Sequence, residues 1–321
     1  MKIGIIGCGL IGNKRAESIG SQDKIKYVYD INIERSKKLA KKTGAEIKSS
    51  IEEILESNVD IIFIATTHNM LSDITIKAIK KSKHVLVEKP GAYNIKELKK
   101  IILLSKKNNV TVKVGFNHRF HPAILKAKKL LHEKNLGEIL FIRGRYGHGG
   151  RIGYESEWRC NKKLSGGGEL LDQGSHLIDL SLWFMGQLKV DYKLLPTYFW
   201  DTNVEDNCFI SLKNKKDNVA WLHASWTEWK NCFSFEIYTK KTKLIISGLG
   251  GSYGKEKLTF YRMLPKMGPP IKTEWKFGPE DNSWKNEFIN FKKAIKNNSE
   301  PCGSADDALN VLKLIEDIYK K

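Results

Sequence analysis

The sequence predicts an α/β domain with an open parallel sheet over residues 1–120 and an α+β domain with a large antiparallel sheet over residues 121–321. Two observations carry this prediction. As far as Phe120, short apolar runs alternate with helical patterns about every twenty residues, as right-handed βαβ units require. From Val190 onward, short β-type runs follow one another with turn residues between them, which is typical of an antiparallel meander.

The N-terminal stretch has the order strand, glycine turn, helix, strand. The apolar run Lys2–Ile6 leads into Gly7-Cys8-Gly9-Leu10-Ile11-Gly12, and a second β-type run ends just before Asp30. In such a unit the first glycine makes the tight turn, the second lets backbone approach a pyrophosphate, and the third allows close helix–strand packing. We therefore predict that this turn binds a dinucleotide through Gly7, Gly9, Leu10, Ile11 and Gly12.

Asp30 stands where a carboxylate accepts hydrogen bonds from the hydroxyls of the adenosine ribose. A carboxylate here also repels a 2′-phosphate, so the sequence predicts NAD in preference to NADP. Arg35, Lys37 and Lys38 follow closely in the chain and weaken this preference without reversing it.

Polar residues follow two later strands of the predicted parallel sheet, at the edge where ligands of such sheets bind. Glu88-Lys89-Pro90 follows the strand His84–Val87, and a second loop runs from Gly115 to Pro122. Lys89 is a candidate to contact a substrate oxygen or a cofactor ribose, with a plain surface lysine as the open alternative. The two histidines of the second loop lack a carboxylate or cysteine partner, so we predict no metal site.

A second informative stretch begins at Gly166-Gly167-Gly168 and continues as a helical pattern that contains Asp172 and His176. On an α-helix two residues four apart lie one above the other. A carboxylate beside an imidazole orients the ring and favours its charged form, which suits a general acid/base. A helix whose Asp and His merely satisfy each other explains the pair equally well.

The composition narrows the classes of partner. The net charge is +19, but the excess lysine is spread along the chain without interleaved aromatics, so we predict no nucleic-acid partner. No apolar segment approaches the roughly 20 residues of a membrane span, so we predict no membrane partner. Five scattered cysteines without a CxxC pair argue against a disulfide framework and favour a reducing cytoplasm.

Five motifs occur in an order that resembles the glucose–fructose oxidoreductase, inositol dehydrogenase and rhizopine-catabolism family (Gfo/Idh/MocA). They are the glycine turn with Asp30, Glu88-Lys89-Pro90, Gly115-Phe116-Asn117-His118-Arg119-Phe120, Trp158-Arg159, and Gly166 with Asp172 and His176. The resemblance implies a Rossmann fold for the N-terminal domain. It implies an open-faced, mostly antiparallel C-terminal sheet that forms homodimers or homotetramers. It also implies NAD(P)-dependent hydride transfer at a hydroxyl or carbonyl carbon of a sugar, cyclitol or nucleotide sugar.

The same resemblance implies roles for individual residues. Lys89 matches the lysine that hydrogen-bonds the reacting oxygen, His176 the histidine that exchanges the proton, and Asp172 the aspartate that positions substrate and lysine. At Thr66-Thr67-His68-Asn69 the chain departs from the family's usual Thr-Pro-Asn and following histidine, which leaves the contacts of that loop open. We expect Thr66, Glu88 and Asn117 at the cofactor, and at the substrate Arg119, Tyr146, Arg151, Trp158 and Arg159.

Two further functions fit this family. Some relatives use NAD transiently in redox-neutral glycoside cleavage, and others are non-catalytic sensors. The intact Lys89, Asp172 and His176 argue against a sensor, whereas they do not separate a dehydrogenase from a redox-neutral glycosidase. The positive charge slightly favours an acidic or phosphorylated substrate.

Overall fold

The computed structural model describes residues 1–133 and 136–320. These residues form two units, each with its own sheet. The first unit contains Met1–Asn117 and Trp284–Leu312, and the second contains His118–Ser283 and the residues from Lys313 onward. Both units are therefore assembled from segments that are far apart in the sequence.

The first unit is a six-stranded parallel sheet in the order β3-β2-β1-β4-β5-β6, which confirms the predicted parallel α/β domain. Its strands are β1 (Lys2–Ile6), β2 (Lys24–Tyr29), β3 (Glu46–Ile47), β4 (Ile61–Ile64), β5 (His84–Val87) and β6 (Val112–Val114). Its N-terminal helices are α1 (Leu10–Glu17), α2 (Ile33–Thr43), α3 (Ile51–Glu56), α4 (His68–Lys80) and α5 (Ile95–Lys107). The strand order reverses next to β1: β2 and β3 lie on one side of it, and β4, β5 and β6 lie on the other. Ligands of such sheets bind at this point of reversal.

Local sequence explains these elements. The strand β4 is apolar and buried at every position, as a parallel strand covered on both faces must be. Side-chain oxygens of Asn32, Ser50 and Asn94 accept hydrogen bonds from the first backbone N–H groups of α2, α3 and α5. A later helix, α9 (Ser283–Lys296), supplies Phe288 to the same core, where its ring meets Phe63 edge to face with centroids 5.4 Å apart.

The second unit contains an eight-stranded sheet in the order β14-β13-β12-β11-β7-β10-β9-β8. Its strands are β7 (Ile139–Gly147), β8 (Lys189–Leu194), β9 (Asn207–Lys213), β10 (Val219–Ser225), β11 (Cys232–Thr239), β12 (Thr242–Ser247), β13 (Lys257–Arg262) and β14 (Ile271–Lys276). All neighbours are antiparallel except β7 and β10, which run parallel. The mostly antiparallel prediction is confirmed, and the parallel pair is an addition to it.

The helices of this unit are α6 (Pro122–Glu133), α7 (Lys162–Ser165), α8 (Ser175–Met185) and the end of α10 (Ala305–Tyr319). One face of the sheet is buried and packs on α8: a Cβ on Gly144 would lie 2.9 Å from Leu222 and 3.2 Å from Leu177. The opposite face leaves Phe141, Tyr192 and Trp221 partly exposed, at 37%, 48% and 48%. The unit therefore presents one aromatic sheet face outside its own core.

The sequence did not predict the two-residue strand β3 or the strand β8, which is largely exposed and lies at the edge of its sheet. Among the residues described, no helix combines the length and the apolar character needed to cross a membrane.

Glu236, on the exposed sheet face, is held by three donors. Its Oε2 lies 2.5 Å from the Tyr238 hydroxyl, 2.8 Å from Arg143 Nη2 and 3.0 Å from Lys243 Nζ. Partial burial acts to raise the pKa of Glu236, but these donors outweigh burial and lower it to about 2. The folded pKa therefore lies below the unfolded value of 4.5.

Because this pKa is lowered, the cluster stabilises the fold above about pH 4.5 and loses its effect as the pH falls towards 2. We expect Glu236→Gln to lower the melting temperature by a few degrees at pH 7, corresponding to roughly 1 kcal/mol because the group is partly exposed. Below pH 2 wild type and variant should melt together, because the Glu236 carboxylate is then protonated in the folded state as well. Glu138→Gln, which removes an exposed ion pair with Lys216, is the control. An equal difference at both pH values would contradict the assignment.

Candidate functional site

The glycine turn of the first unit has the stereochemistry that a dinucleotide requires. Gly7 has a φ of +95°, and a Cβ on it would lie 2.4 Å from the Ala65 carbonyl oxygen. A Cβ on Gly12 would lie 2.0 Å from the Gly7 carbonyl oxygen, whereas a Cβ on Gly9 would meet nothing within 4 Å. Gly7 and Gly12 are thus fixed by packing, and Gly9 borders open space at the start of α1, where a pyrophosphate would bind the backbone N–H groups.

Asp30 ties this turn to the end of β2. Its Oδ2 accepts a hydrogen bond from the Cys8 backbone N–H at 2.7 Å, and its Oδ1 accepts one from Asn32 N–H at 2.8 Å. Each carboxylate oxygen can accept a second donor, so the geometry fits the expected contact with ribose hydroxyls. Cys8 itself is buried, and burial raises the pKa of its thiol to about 11, so it is a protonated turn residue and not a nucleophile.

Glu88, expected at the cofactor, is buried and paired with a guanidinium. Its carboxylate accepts a hydrogen bond from Arg15 Nε at 2.7 Å, and the same guanidinium pairs with Glu287. Burial raises the pKa of Glu88, and the positive charge of Arg15 only partly offsets this effect. The Glu88 carboxylate therefore joins the loop that carries Lys89 to α1, and its contact with the cofactor stays a prediction.

The other predicted cofactor residues follow strands of the same sheet at its carboxyl edge. Thr66 follows β4, the half-buried Lys89 follows β5, and Asn117 comes shortly after β6 and is buried. Leu10 and Ile11 form the first turn of α1, with Leu10 71% exposed. The first unit therefore gathers the predicted cofactor residues along one sheet edge.

In the second unit a buried carboxylate caps the glycine run that precedes the expected helix. Glu205 Oε1 accepts hydrogen bonds from the backbone N–H of Gly168 at 3.0 Å and of Leu170 at 3.1 Å, and from the Tyr319 hydroxyl at 2.6 Å. A Cβ on Gly168 would lie 2.1 Å from the Glu205 carbonyl oxygen. A larger residue at Gly168 would therefore displace the start of this helix.

The helix itself is not a continuous α-helix. Leu170–Gly174 is a π-helical turn, and α8 begins only at Ser175. The α-helical spacing that was expected to set the Asp172 carboxylate above His176 therefore does not apply across this pair. The Asp172 Oδ2 instead lies 3.1 Å from Arg159 Nε.

Arg159 bridges two carboxylates. Besides Asp172, it donates from Nη1 to Glu157 at 3.3 Å, and Glu157 also pairs with Arg151. The Asp172 charge is the main reason why the pKa of Arg159 is raised above its ordinary value. The ring of Trp158 lies 4.9 Å from the Arg159 guanidinium. Three predicted substrate residues, Arg151, Trp158 and Arg159, are thus linked to Asp172 through charges and stacking.

His176 stands in a group of rings that we call the histidine cluster, formed by His118, His121, Tyr146, His176 and Phe233. The imidazoles of His176 and His118 stack with centroids 3.8 Å apart and planes 19° apart. Tyr146 meets both imidazoles edge-on or tilted, at 6.3 Å from His176 and 5.1 Å from His118. Burial raises the pKa of Tyr146 well above its usual value, so it stays a neutral donor and acceptor.

Arg119, expected at the substrate, is buried in an ion pair. Its side chain is 3% exposed, and Nε and Nη2 donate to the two carboxylate oxygens of Asp179 at 2.9 and 2.6 Å. This bidentate pair joins the 3₁₀ turn Asn117–Phe120 to α8. Arg119 is therefore a structural group that anchors the histidine cluster.

Sequence reasoning assigned no functional role to two neighbours of the predicted residues, Tyr253 and His118. Tyr253 meets the Tyr146 ring at 4.9 Å and accepts a hydrogen bond from Gln173 Nε2 at 2.9 Å. His118 was noted as part of the Gly115–Phe120 motif and as a metal ligand that we rejected, and its stacking on a residue 58 positions away has no local sequence signature. Across the described ranges, no group of three or more His, Cys, Asp or Glu side chains is arranged for a metal ion.

Comparisons with known proteins identify both parts of the chain. A family model described as "Oxidoreductase family, NAD-binding Rossmann fold" matches residues 1–116, and the GFO/IDH/MocA C-terminal domain matches residues 124–245. Levoglucosan dehydrogenase from Pseudarthrobacter phenanthrenivorans is 27% identical over 212 residues, which are 62% of this chain and 54% of that protein. Myo-inositol 2-dehydrogenase from Thermotoga maritima is 31% identical over 193 residues, which are 58% of this chain and 55% of that protein.

The fold of the whole chain has a close structural counterpart. A solved structure of levoglucosan dehydrogenase in complex with NADH superposes with a TM-score of 0.88 at 22% identity, covering 99% of this chain and 95% of that chain. In the sequence comparisons, the matched region spans only about half the length of the curated relatives. The structural match therefore supports the fold.

The glycine turn yields a test that separates binding from folding. We expect Gly9→Ala to leave the melting temperature within about 2 °C of wild type, because its Cβ enters open space. The same variant should weaken NADH binding at least about tenfold, measured by fluorescence titration, because that space is where the pyrophosphate would lie. Gly12→Ala, whose Cβ meets the Gly7 carbonyl, should lower both quantities. Unchanged NADH affinity in Gly9→Ala would contradict the assignment.

Proposed function

Because the chain belongs to the GFO/IDH/MocA family of oxidoreductases, we propose that it is an NAD(P)-dependent dehydrogenase of a sugar, cyclitol or nucleotide sugar. The observation that carries the proposal is the glycine turn, with Gly7 and Gly12 fixed by packing and Gly9 bordering open space. The relatives named levoglucosan dehydrogenase and myo-inositol 2-dehydrogenase support this substrate class. Their names also favour net oxidation over redox-neutral glycoside cleavage.

The proposed chemistry divides between cofactor and protein. Bound NAD would supply the hydride acceptor for the substrate carbon. A ring nitrogen of His176 accepts the proton of the substrate hydroxyl, and the Lys89 ammonium stabilises the negative charge that develops on the oxygen. Asp172, paired with the adjacent Arg159 guanidinium, accepts a hydrogen bond from the substrate and orients it.

The second unit offers groups suited to a hydroxyl-rich ring. The hydroxyl of the buried Tyr146 shares a hydrogen bond with that of the half-buried Tyr253, and the Trp158 ring lies beside a guanidinium. Arg151 and Arg159 are paired with carboxylates, so this cluster presents balanced charges to a substrate. We therefore favour an uncharged reacting ring over the acidic or phosphorylated one that the net charge suggested.

Three finer features complete the proposal. Asp30 supports NAD in preference to NADP, because its carboxylate is held at the turn by two backbone N–H groups. The cysteines are free thiols, which is consistent with a cytoplasmic enzyme. We assign homodimer or homotetramer formation to the exposed sheet face with Phe141, Tyr192 and Trp221.

The cofactor preference can be tested at Asp30. Wild type should bind NADH more tightly than NADPH, and Asp30→Asn should reduce the ratio of the two affinities about tenfold, because the repulsion of the 2′-phosphate is lost. Fluorescence titration with both nucleotides measures the ratio. Glu34→Gln, which removes a nearby exposed carboxylate, is the control and should leave it unchanged. A wild-type preference for NADPH would overturn the proposal for Asp30.

The reaction can be tested with substrates and variants together. NADH formation is followed with NAD and a panel of inositols, free sugars, sugar acids and nucleotide sugars. For any substrate found, Lys89→Ala and His176→Ala should each lower kcat about 100-fold or more, because each removes a group that acts on the reacting oxygen or its proton. NADH affinity should stay within about threefold of wild type, since the glycine turn is untouched.

Exposed residues provide matched controls for these variants. Lys96→Ala and His132→Ala remove the same side-chain types from exposed helical positions and should leave kcat unchanged. Full turnover in Lys89→Ala or His176→Ala would refute the role of that residue. Product release from an aryl glycoside without net NADH would replace the dehydrogenase by the redox-neutral reaction.

A further inference from the structure

His118 and His176 make the closest ring contact in the histidine cluster. Their centroids are 3.8 Å apart and the rings are nearly parallel, at 19°. The two residues are 6% exposed each, so water screens the contact little. Phe233 and Tyr146 border the His118 ring at 6.1 and 5.1 Å. The plane of the His176 ring is therefore defined by an imidazole that lies flat against it.

The stack is anchored by the backbone segments that carry the two histidines. His118 lies in the 3₁₀ turn Asn117–Phe120 and His176 in the first turn of α8. The ion pair between Arg119 and Asp179, with contacts of 2.9 and 2.6 Å, joins these two segments beside the stack. The two backbone segments therefore cannot separate without breaking a buried, bidentate pair.

The charged groups around the stack are paired with one another. Arg119 pairs with Asp179, and Asp172 pairs with Arg159. On the far side of His118, the ring of His121 is 5.6 Å away and bonds the Glu256 carboxylate at 2.9 Å, with Asp281 at 3.9 Å. Tyr146 and Tyr253 remain neutral, and the buried Glu169 interacts with both of them.

Two imidazolium rings at this separation would repel each other strongly, because both charges are shielded from water. Interacting titratable groups of this kind lose their protons in two separated steps that belong to the pair. A proton on His118 therefore disfavours a proton on His176, and the reverse is equally true.

We propose that His118 is a positioning residue for His176. His118 fixes the plane of the His176 ring. Charge repulsion across the stack also limits the two histidines to at most one added proton between them near neutral pH. His176 thereby keeps a ring nitrogen that is able to accept the proton of the substrate hydroxyl. This consequence rests on the proposed function of His176, whereas the coupling of the two protons does not.

The coupling is tested first, without a substrate. In the full chain labelled with ¹³C-histidine, the Cε1–H signals are followed against pH, and His118→Phe and His176→Asn assign the two signals. In wild type the pair should titrate in two steps separated by at least about one pH unit. In His118→Phe, which keeps a ring against His176, the His176 signal should titrate in one step at a higher pH. Independent, ordinary titration of both wild-type signals would overturn the coupling.

The catalytic consequence is tested next, in the pH dependence of kcat/KM for oxidation. His118→Phe should move the acid limb of the profile upward by about one pH unit with little change in the affinity for NADH, because His176 now holds its proton to higher pH. His132→Phe, at an exposed histidine of α6, should leave the profile in place. An unmoved acid limb in His118→Phe would overturn the proposed positioning role.

The two measurements separate this inference from the proposed function. If no substrate of the panel is oxidised, the proposed function fails, and the two-step titration still decides whether the pair is coupled. If His118→Phe proves unstable, the wild-type titration carries the decision, and His118→Gln supplies the variant profile. A rescue of the wild-type acid limb by His118→Gln, which cannot be protonated, would contradict the coupling.

Discussion

The arrangement of the first unit depends on one buried guanidinium. Arg15 is 1% exposed and lies between the carboxylates of Glu88 and Glu287, with the ring of Trp284 at 4.5 Å. Burial acts to lower its pKa, but the two carboxylates outweigh burial and raise it. Removing one member of such a buried pair leaves an uncompensated charge, which costs about 3–5 kcal/mol. The helix after the glycine turn, the loop that carries Lys89, and α9 are held together by this single group.

The second unit uses the same arrangement nearer to solvent. Arg159, with 25% of its side chain exposed, lies between Asp172 and Glu157. Each unit therefore contains one cation paired with two carboxylates at a proposed catalytic residue. In the first unit Lys89 directly follows Glu88, and in the second unit Asp172 is itself one of the two carboxylates. The buried group around Arg15 holds a backbone segment in place, whereas the partly exposed group around Arg159 holds the Asp172 side chain in one direction.

The predictions from sequence were confirmed for features that depend on residues close together in the chain. Alternating apolar runs predicted the parallel sheet, and the glycine spacing predicted a turn whose stereochemistry the structure reproduces. They did not reveal contacts whose partner is distant in the chain. Glu88 and Arg119 are polar residues in loops at a sheet edge, and only the fold brings Arg15 and Asp179 to them.

The local sequence pattern also did not predict the type of helix at Leu170–Gly174 or the pairing of β7 with β10. The residues Leu170–Gly174 have the composition of an α-helix, but they form a π-turn that begins at the Glu205 cap. The parallel pairing of β7 with β10 joins strands that are not neighbours in sequence, so periodicity within each strand says nothing about it. The roles of Lys89, Asp172 and His176 came from a resemblance and stay predictions.

The discontinuity of the two units has a consequence for the order in which the chain acquires structure during its synthesis. Domains usually fold as units from the N-terminus as they leave the ribosome. Here β7 can pair with its parallel partner β10 only after roughly 80 further residues have been made. The first unit is completed later still, when Phe288 enters its core and the carboxylate of Glu287 pairs with Arg15. A nascent chain of this protein therefore has an unpaired central strand until β10 has been made and an unfinished N-terminal core until Phe288 has been made.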